Sequence, residues 1–184
     1  ETVFSVDLSG YTFDWKNMLD VYDSTSTAVQ DKAVAELMYA VGVAGNMLYS
    51  AAGSGTMDEY MAKGLIENLN YDKNLLCLHR DYYMTAGWKR LLKVELAAKR
   101  PVLYGGTSTS GGHAFVCDGY DKDGLFHINW GWDGYSNGYF VLSTLDAEGD
   151  GNGYSDGQAV LLEIRPEQSG EEYFIRPYLI RANY

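Results

Sequence analysis

The sequence is short of basic residues and has no long apolar run. Its 14 Lys and Arg face 25 Asp and Glu, which leaves a formal net charge of −11 at pH 7 in 184 residues. Such a chain repels a phosphate backbone and an anionic membrane surface, so general nucleic-acid binding and docking on anionic lipid are disfavoured. No stretch reaches the roughly 18 consecutive apolar residues that a transmembrane helix needs. We therefore expect no nucleic-acid partner and no membrane span.

Cysteine is equally scarce, because Cys77 and Cys117 are the only two in the sequence. Two cysteines are too few for a disulfide scaffold, although a single disulfide between them stays open. They are 40 residues apart and belong to no CxxC motif, which argues against a zinc site. We predict no metal site and no cofactor.

Hydrophobic residues make up 46% of the chain, enough for a globular protein with a substantial core. The length fits one full domain. The first 25 residues alternate aromatic and polar side chains, which favours one or two strands with loops.

Three helices are predicted after residue 25. Thr27 and Gln30 make a capping box that opens a helix ending near Gly42. Thr56 and Glu59 make a second capping box, and a third helix covers about residues 86–99. The predicted inward side chains of the second helix are Tyr60, Met61, Leu65 and Leu69, and those of the third are Trp88, Leu91, Leu92 and Leu96.

The apolar period changes to two after Pro101, which predicts strands. Asp121–Gly124 reads as a hairpin turn between two of them. Helices followed by a run of antiparallel strands indicate an α+β fold. The predicted strands are Pro101–Gly105, His113–Tyr120, Leu125–Trp130, Gly138–Leu142 and Gln158–Ile164.

His113 is the first candidate for chemistry. It follows the sequence Ser-Thr-Ser-Gly-Gly and opens an apolar strand. A Gly-Gly loop lets a substrate backbone approach closely, while the strand holds the imidazole in place. A histidine at a strand edge that merely completes a hydrogen bond would give the same pattern.

The segment HINWGWDG places Asn129, Trp130 and Trp132 one predicted hairpin away from His113. An Asn that bonds one ring nitrogen can hold the imidazole in the tautomer that a nucleophile needs. A Trp over that pair excludes water and strengthens it. The alternative is that the two Trp are core or turn aromatics and that Asn129 is a turn residue.

GGHAF followed by HINWGWDG resembles the streptopain family of papain-like cysteine peptidases. AVAELMYAVGVAGNMLYSAAGSGT, PVLYGG, NGYFVLSTL and GYSDGQAVLLEI are similar to further segments of the family, so the resemblance covers roughly residues 11–166. It implies the papain-like α+β fold, mainly its antiparallel-sheet half with about three helices. Residues 1–166 would be the peptidase domain, incomplete without a Cys-bearing segment, and residues 167–184 a C-terminal extension.

The resemblance also implies what the protein does. It would be a secreted or cell-surface cysteine endopeptidase, made as a zymogen and acting as a virulence factor, that cleaves protein or peptide substrates near a hydrophobic residue. His113 would be its catalytic base, and Asn129 and Trp130 would orient and shield the His113 ring, with their shares in that role left open. The implied substrate-binding residues are Ser110, Gly111, Gly112, Trp132 and Met47.

One part of the family pattern is missing. The family carries its nucleophile in a Gly-Cys-Val-Ala-Thr-like segment, and an oxyanion-hole Gln upstream, and this sequence contains neither. Cys117 follows His113 by four residues on one predicted strand, so their Cα atoms would be roughly 13 Å apart, too far for a nucleophile and its base. Cys77 has only apolar neighbours, which is typical of an inert thiol.

We therefore expect the nucleophile to come from an upstream segment, or from a separate Cys-bearing light chain of the same precursor. This chain alone would then be inactive. The alternative is a non-catalytic binding protein or an inactive fragment of the same fold.

Asp146–Gly157 has the acidic spacing of a calcium loop but no bidentate Glu at its twelfth position, which favours a plain Gly-rich loop. A glycan-binding module is a further option, given 16 Tyr and 4 Trp.

Overall fold

A computed structural model of the chain describes residues 6–167. The chain divides into two compact units, the first over residues 1–70 and the second over residues 71–184. The predicted C-terminal extension lies outside the described residues except for Glu167. No helix within residues 6–167 is long and apolar enough to cross a membrane.

The first unit begins with turns rather than strands. The described residues 6–25 contain one 3₁₀ turn, Trp15–Asn17, and no strand, so the prediction of a strand here is wrong for these residues. Side chains bond to the nearby backbone instead: the N–H of Ser9 donates to Asp7 at 2.9 Å and that of Thr25 donates to Asp23 at 2.7 Å. Such local bonds compete with strand pairing.

Helix α1 spans Ala28–Ala44 and starts at the predicted capping box. The N–H of Thr27 donates to the Gln30 side chain at 2.8 Å, and the Thr27 hydroxyl accepts from the Gln30 N–H. The helix continues past its predicted end at Gly42, because Gly45 is the residue that caps it.

Helix α2 spans Asp58–Leu69, and its predicted capping box is wrong. The N-cap residue is Met57, which makes no side-chain capping bond, and the Thr56 hydroxyl donates to the carbonyl oxygen of Gly45. Leu65 is buried as predicted, but Tyr60 is 51% exposed. A Cβ at Gly64 would lie 2.1 Å from the Ala44 carbonyl oxygen, so the backbones of α1 and α2 approach closely at this glycine.

The described residues of the second unit, 71–167, form a six-stranded antiparallel sheet, one α-helix and a short 3₁₀ helix, Arg80–Tyr82. Helix α3 spans Thr85–Ala97. The strand order across the sheet is β1-β6-β2-β3-β4-β5, so the last strand of the unit pairs near its middle. The strands are β1 Leu76–His79, β2 Val102–Ser108, β3 Gly111–Tyr120, β4 Phe126–Asn129, β5 Gly138–Phe140 and β6 Asp156–Leu162.

Strand β1 was not predicted from the sequence, whereas the other five lie close to their predicted positions. The Asp121–Gly124 turn joins β3 to β4 as predicted, and Gly124 has φ +85°. Three helices and one antiparallel sheet confirm the α+β fold class.

Helix α3 packs on the sheet through the predicted face. Trp88 and Leu92 are fully buried there, and Leu91 and Leu96 pack against the same core. The indole N–H of Trp88 donates to the Tyr104 hydroxyl at 2.8 Å. The sheet side of this core is formed by Val102, Tyr104, Phe115, Cys117, Phe126, Ile128, Trp130, Val160 and Leu162.

A buried ion-pair network lies at the C-terminal end of α3. Glu95 is only 3% exposed and accepts two hydrogen bonds from the Arg100 guanidinium, at 2.8 and 2.9 Å. The same carboxylate accepts the N–H of Glu163 at 3.0 Å. The local sequence does not indicate that Glu95 is buried, because its burial depends on partners from two other parts of the unit.

Candidate active site

The hairpin of β2 and β3 presents His113. Ser108 pairs with Gly111, which leaves a two-residue turn at the hairpin tip. Ser110, Gly111 and Gly112 are exposed at this tip, immediately before His113, and Gly111 has φ +125°, which suits glycine. The predicted substrate-binding triplet therefore lies beside the imidazole.

The orientation of the His113 ring is set by a backbone group. Its Nε2 atom lies 2.8 Å from the carbonyl oxygen of Trp130. A carbonyl oxygen only accepts hydrogen bonds, so Nε2 carries a proton and, in the neutral ring, Nδ1 has the free lone pair. Trp130 is itself held twice: its backbone N–H donates to Asn137 Oδ1 at 2.9 Å, and its indole N–H donates to the Ser136 carbonyl at 3.0 Å.

Asn129 does not reach the imidazole. Its Oδ1 accepts the backbone N–H of Gly131 at 3.0 Å, and the residue is exposed at the end of β4, whereas Trp130 just beyond the strand is buried. Of the two residues that the sequence could not separate, Trp130 makes the hydrogen bond to His113, and it does so through its backbone. Asn129 shapes the turn that follows.

Aromatic rings surround His113. Trp132 stacks on it with ring centroids 4.9 Å apart and an interplanar angle of 24°. Tyr154 lies at 5.4 Å, Phe115 at 5.9 Å and Trp130 at 6.4 Å. These four rings pack around the imidazole and restrict how it can turn.

The sequence did not indicate a role for Tyr154, or for Gly106, the glycine against which it packs. Gly106 pairs with His113 across β2 and β3. A Cβ at Gly106 would lie 2.5 Å from the carbonyl oxygen of Tyr154, so only glycine fits there. The signal in the sequence was weak, because the Gly-Tyr of GYSDGQ looks like any glycine-rich loop until its packing is known.

Neither cysteine lies near His113. Cys117 is fully buried on β3, and burial raises the pKa of its thiol to about 12. Cys77 lies on β1, which is separated from β3 by β6 and β2, so the two strands are about 14 Å apart across the sheet. The two cysteines are not bridged to each other.

Met47 belongs to the first unit, unlike the other predicted site residues. Its N–H donates to the Gly42 carbonyl at 2.9 Å, just beyond the end of α1. It lines an apolar groove of about 600 Å³ within that unit. The groove is also lined by Leu37, Met38, Tyr39, Val41, Gly42, Tyr49, Ser54 and Met61.

The loop considered for calcium is organised by Asp146. One carboxylate oxygen accepts the N–H of Gly149 and the other that of Gly151, each at 2.8 Å. These bonds, above all the one from Gly151, hold the pKa of Asp146 below its usual value. The Asp146 carboxylate therefore accepts hydrogen bonds from the backbone of its own loop.

Comparison with known proteins gives consistent matches. The model of the Peptidase C10 family matches residues 1–140. The chain is 40% identical to the thiol protease/hemagglutinin PrtT of Porphyromonas gingivalis over 163 residues, which cover 85% of this chain and 19% of PrtT. It is 32% identical to streptopain of Streptococcus pyogenes over 164 residues, which cover 86% of this chain and 41% of streptopain. The chain therefore spans well under half the length of these relatives.

Solved structures show the same fold. Active wild-type interpain A cysteine protease from Prevotella intermedia matches with a TM-score of 0.79 and 33% identity, over 84% of this chain and 65% of that one. A prointerpain A fragment from the same organism matches with a TM-score of 0.74 and 34% identity, over 84% and 49% of the two chains. The expected papain-like fold is confirmed.

Proposed function

Because the chain belongs to the peptidase C10 family, we propose that it carries the general base and one wall of the cleft of a cysteine endopeptidase. The observation that supports this most is the 2.8 Å contact between His113 Nε2 and the Trp130 carbonyl oxygen. It leaves Nδ1 of the neutral ring able to take a proton from a thiol.

The reaction follows from that orientation. The nucleophilic thiol gives its proton to Nδ1 of His113, and the thiolate attacks the carbonyl carbon of the scissile peptide. His113 then returns the proton to the leaving amine as the C–N bond breaks, which leaves a thioester. Water attacks the thioester, His113 takes its proton, and the acid product leaves as the thiol re-forms. The stacked Trp132 packs on one face of the His113 ring throughout these steps.

The thiol itself belongs, in this proposal, to a segment outside this sequence, either upstream or on a Cys-bearing light chain of the same precursor. The burial of Cys117 and the position of Cys77 on β1 support that assignment. This chain alone is then inactive.

The substrate, by this proposal, runs past the hairpin tip. Ser110, Gly111 and Gly112 line the approach of its backbone, and Trp132 shapes the cleft beside His113. Trp130 orients the base, with Asn129 supporting the turn that follows. Met47 is also a proposed substrate-binding residue, and it lines an apolar groove in the first unit.

The proposal extends to the whole protein. Residues 1–166 form part of the peptidase domain, and residues 167–184 extend it. The protein acts outside the cell or at its surface, is made as a zymogen and serves as a virulence factor. A net charge of −11 keeps such a protein dispersed, and one matched structure is of a prointerpain fragment.

The decisive experiment compares two histidine variants of the complete protein. His113→Ala should lower peptide cleavage by about 10²–10⁴-fold, the usual share of general acid–base catalysis. His127→Ala is the matched control, because His127 bonds Asp118 at 2.5 Å and stacks edge-on with Tyr139. Peptide cleavage that continues unchanged in the His113→Ala variant would contradict the proposal.

A non-catalytic binding protein is the second candidate, favoured by the distance of both cysteines from His113. An intact mass spectrum, before and after an epoxide selective for papain-type thiolates, separates the two functions. Labelling of a polypeptide segment outside this sequence supports the peptidase. Absence of any label and of any cleavage in the complete, processed protein supports the binding protein, and labelling at Cys77 or Cys117 contradicts the assignment of the thiol.

A further inference from the structure

Tyr154 comes from the segment between β5 and β6, residues 141–155, and its ring packs against His113. We infer that Tyr154 is a positioning residue that keeps the His113 ring in its reactive orientation, and that Gln158 and Asn152 hold Tyr154 in place. This inference rests on the proposed function, because it gives Tyr154 a task in a reaction whose base is His113.

The ring of Tyr154 touches the base and two of its supports. Its centroid lies 5.4 Å from that of His113, 5.7 Å from Trp130 and 6.1 Å from Phe115. Removal of this ring would leave a gap beside the imidazole. The ring of His113 could then turn away from the Trp130 carbonyl oxygen that orients it.

The backbone near Tyr154 lies so close to neighbouring backbone at two positions that only glycine fits there. A Cβ at Gly106, the residue paired with His113, would lie 2.5 Å from the Tyr154 carbonyl oxygen. A Cβ at Gly153 would lie 1.8 Å from the Thr144 carbonyl oxygen. The Gly106 contact therefore places Tyr154 against the strand pair that carries His113, and the Gly153 contact holds the Tyr154 segment against its own residue Thr144.

Gln158 is the buried anchor of this segment, at 3% exposure. Its amide N–H₂ donates to the carbonyl oxygens of Leu142 at 2.7 Å and Tyr154 at 3.0 Å. Its Oε1 accepts from the Tyr104 hydroxyl at 2.9 Å, and that hydroxyl accepts from the Trp88 indole at 2.8 Å. Since every member is paired, rotation of the amide would leave buried polar groups unsatisfied. The chain of bonds thus ties Tyr154 to helix α3.

Asn152 fastens the same segment to the hairpin tip. Its Oδ1 accepts the N–H of Thr109 at 3.0 Å and the Thr109 hydroxyl at 2.6 Å. Its Nδ2 donates to the Ser110 hydroxyl at 2.9 Å. The hairpin tip before His113 and the segment that carries Tyr154 are therefore joined on the side where substrate would enter.

The test uses four variants of the complete protein: Tyr154→Ala, Tyr154→Phe, Tyr104→Phe and Tyr139→Ala. Tyr139 is the matched control, because its ring contacts His127 rather than His113. The first readout is the NMR signal of the His113 ring protons, with its cross-peak to ring 154. The signal of His127 serves as internal reference in the Tyr154 and Tyr104 variants. The second is kcat and KM on one peptide substrate.

We expect Tyr154→Ala to shift the His113 signal and to lower kcat by about 10- to 100-fold, with a smaller change in KM, as for a small misplacement of a reacting group. Tyr154→Phe should restore most of the lost kcat, because the contacts are made by the ring. Tyr104→Phe keeps its ring but loses the hydroxyl that anchors Gln158, so it should move the His113 signal in the same direction by less.

A His113 signal that stays unchanged in Tyr154→Ala would overturn the inference, as would a Phe variant no better than Ala or a Tyr139→Ala variant with the same loss. If Tyr154→Ala does not fold, Tyr104→Phe decides by the same two readouts. If the wild-type protein cleaves no peptide, the proposed function fails instead. The NMR signal then still shows whether Tyr154 holds the His113 ring.

Discussion

The backbone carbonyl oxygen of Trp130 lies 2.8 Å from Nε2 of His113, and the N–H of Trp130 donates to the side chain of Asn137 at 2.9 Å. Asn137 therefore supports the imidazole through one intervening residue, Trp130. Asn129, one of the two residues between which the sequence left that task open, bonds Gly131 instead.

This arrangement predicts different results for two Asn→Ala variants. Asn137→Ala leaves the Trp130 N–H unpaired and loosens the carbonyl that orients His113, so it should lower the free energy of unfolding by about 1–3 kcal/mol and reduce cleavage clearly. Asn129→Ala affects an exposed turn and should change stability by only about 0.5 kcal/mol. Denaturant titration and kcat/KM of both variants check this, and the reverse ranking would contradict it.

The close contact at Gly153 predicts a large effect of one methyl group. A Cβ there would lie 1.8 Å from the Thr144 carbonyl oxygen, so Gly153→Ala should destabilise the fold by about 1–3 kcal/mol and reduce cleavage. Gly87→Ala is the control, because Gly87 lies inside α3 and nothing lies within 4 Å of the position that its new methyl group would take. That variant should gain about 0.5–1 kcal/mol from helix propensity. Thermal melts of the two variants should move in opposite directions.

The buried carboxylates around Arg100 predict a strong dependence on its charge. Arg100 bonds Glu95 twice and lies 3.5 Å from the carboxylate of Glu163, and both carboxylates are about 3–4% exposed. Arg100→Met keeps much of the volume but leaves buried charge uncompensated, so the loss should be about 3–5 kcal/mol. Lys122→Met removes a charge from an exposed pair with Asp123 and should change stability by only about 0.5 kcal/mol. Urea unfolding of both variants measures the contrast.

Because the thiol of Cys117 is buried, we expect the protein to lose stability at alkaline pH. Burial raises the pKa of its thiol to about 12 in the folded chain, against the ordinary 9.0 when unfolded. Above pH 9 the unfolded chain loses this proton while the folded chain keeps it. The free energy of unfolding should therefore be unaffected below pH 9 and fall by about 1.4 kcal/mol per pH unit above it.

Cys117→Val tests this, since it fills the site without a titrating group. Between pH 9 and 10 the variant should lose the slope that wild-type protein shows in denaturant titrations. At higher pH both proteins should lose stability, because burial also raises the pKa of Tyr104. Equal slopes for the two proteins just above pH 9 would refute the assignment to Cys117.

The amino-acid sequence by itself determined the features that depend on neighbouring residues. The start of α1 follows from Thr27 and Gln30, which bond each other within one helical turn. The β3–β4 hairpin follows from its Asp121–Gly124 turn, and the alternating residues on either side specify its strands. His113 and Trp130 could be chosen because both lie in short motifs whose residues are adjacent along the chain.

Tertiary structure decided what depends on residues far apart in sequence. Strand β1 is four residues long and, among the described residues, pairs with β6, which lies 80 or more positions later, so no local pattern specifies it. Tyr154 reaches His113 because Gly106 lacks a Cβ and Gln158 is anchored by Tyr104. The sequence did not indicate the hydrogen bond from His113 to the Trp130 carbonyl oxygen either. Every residue has a carbonyl oxygen, and only folding selects the one that meets the ring.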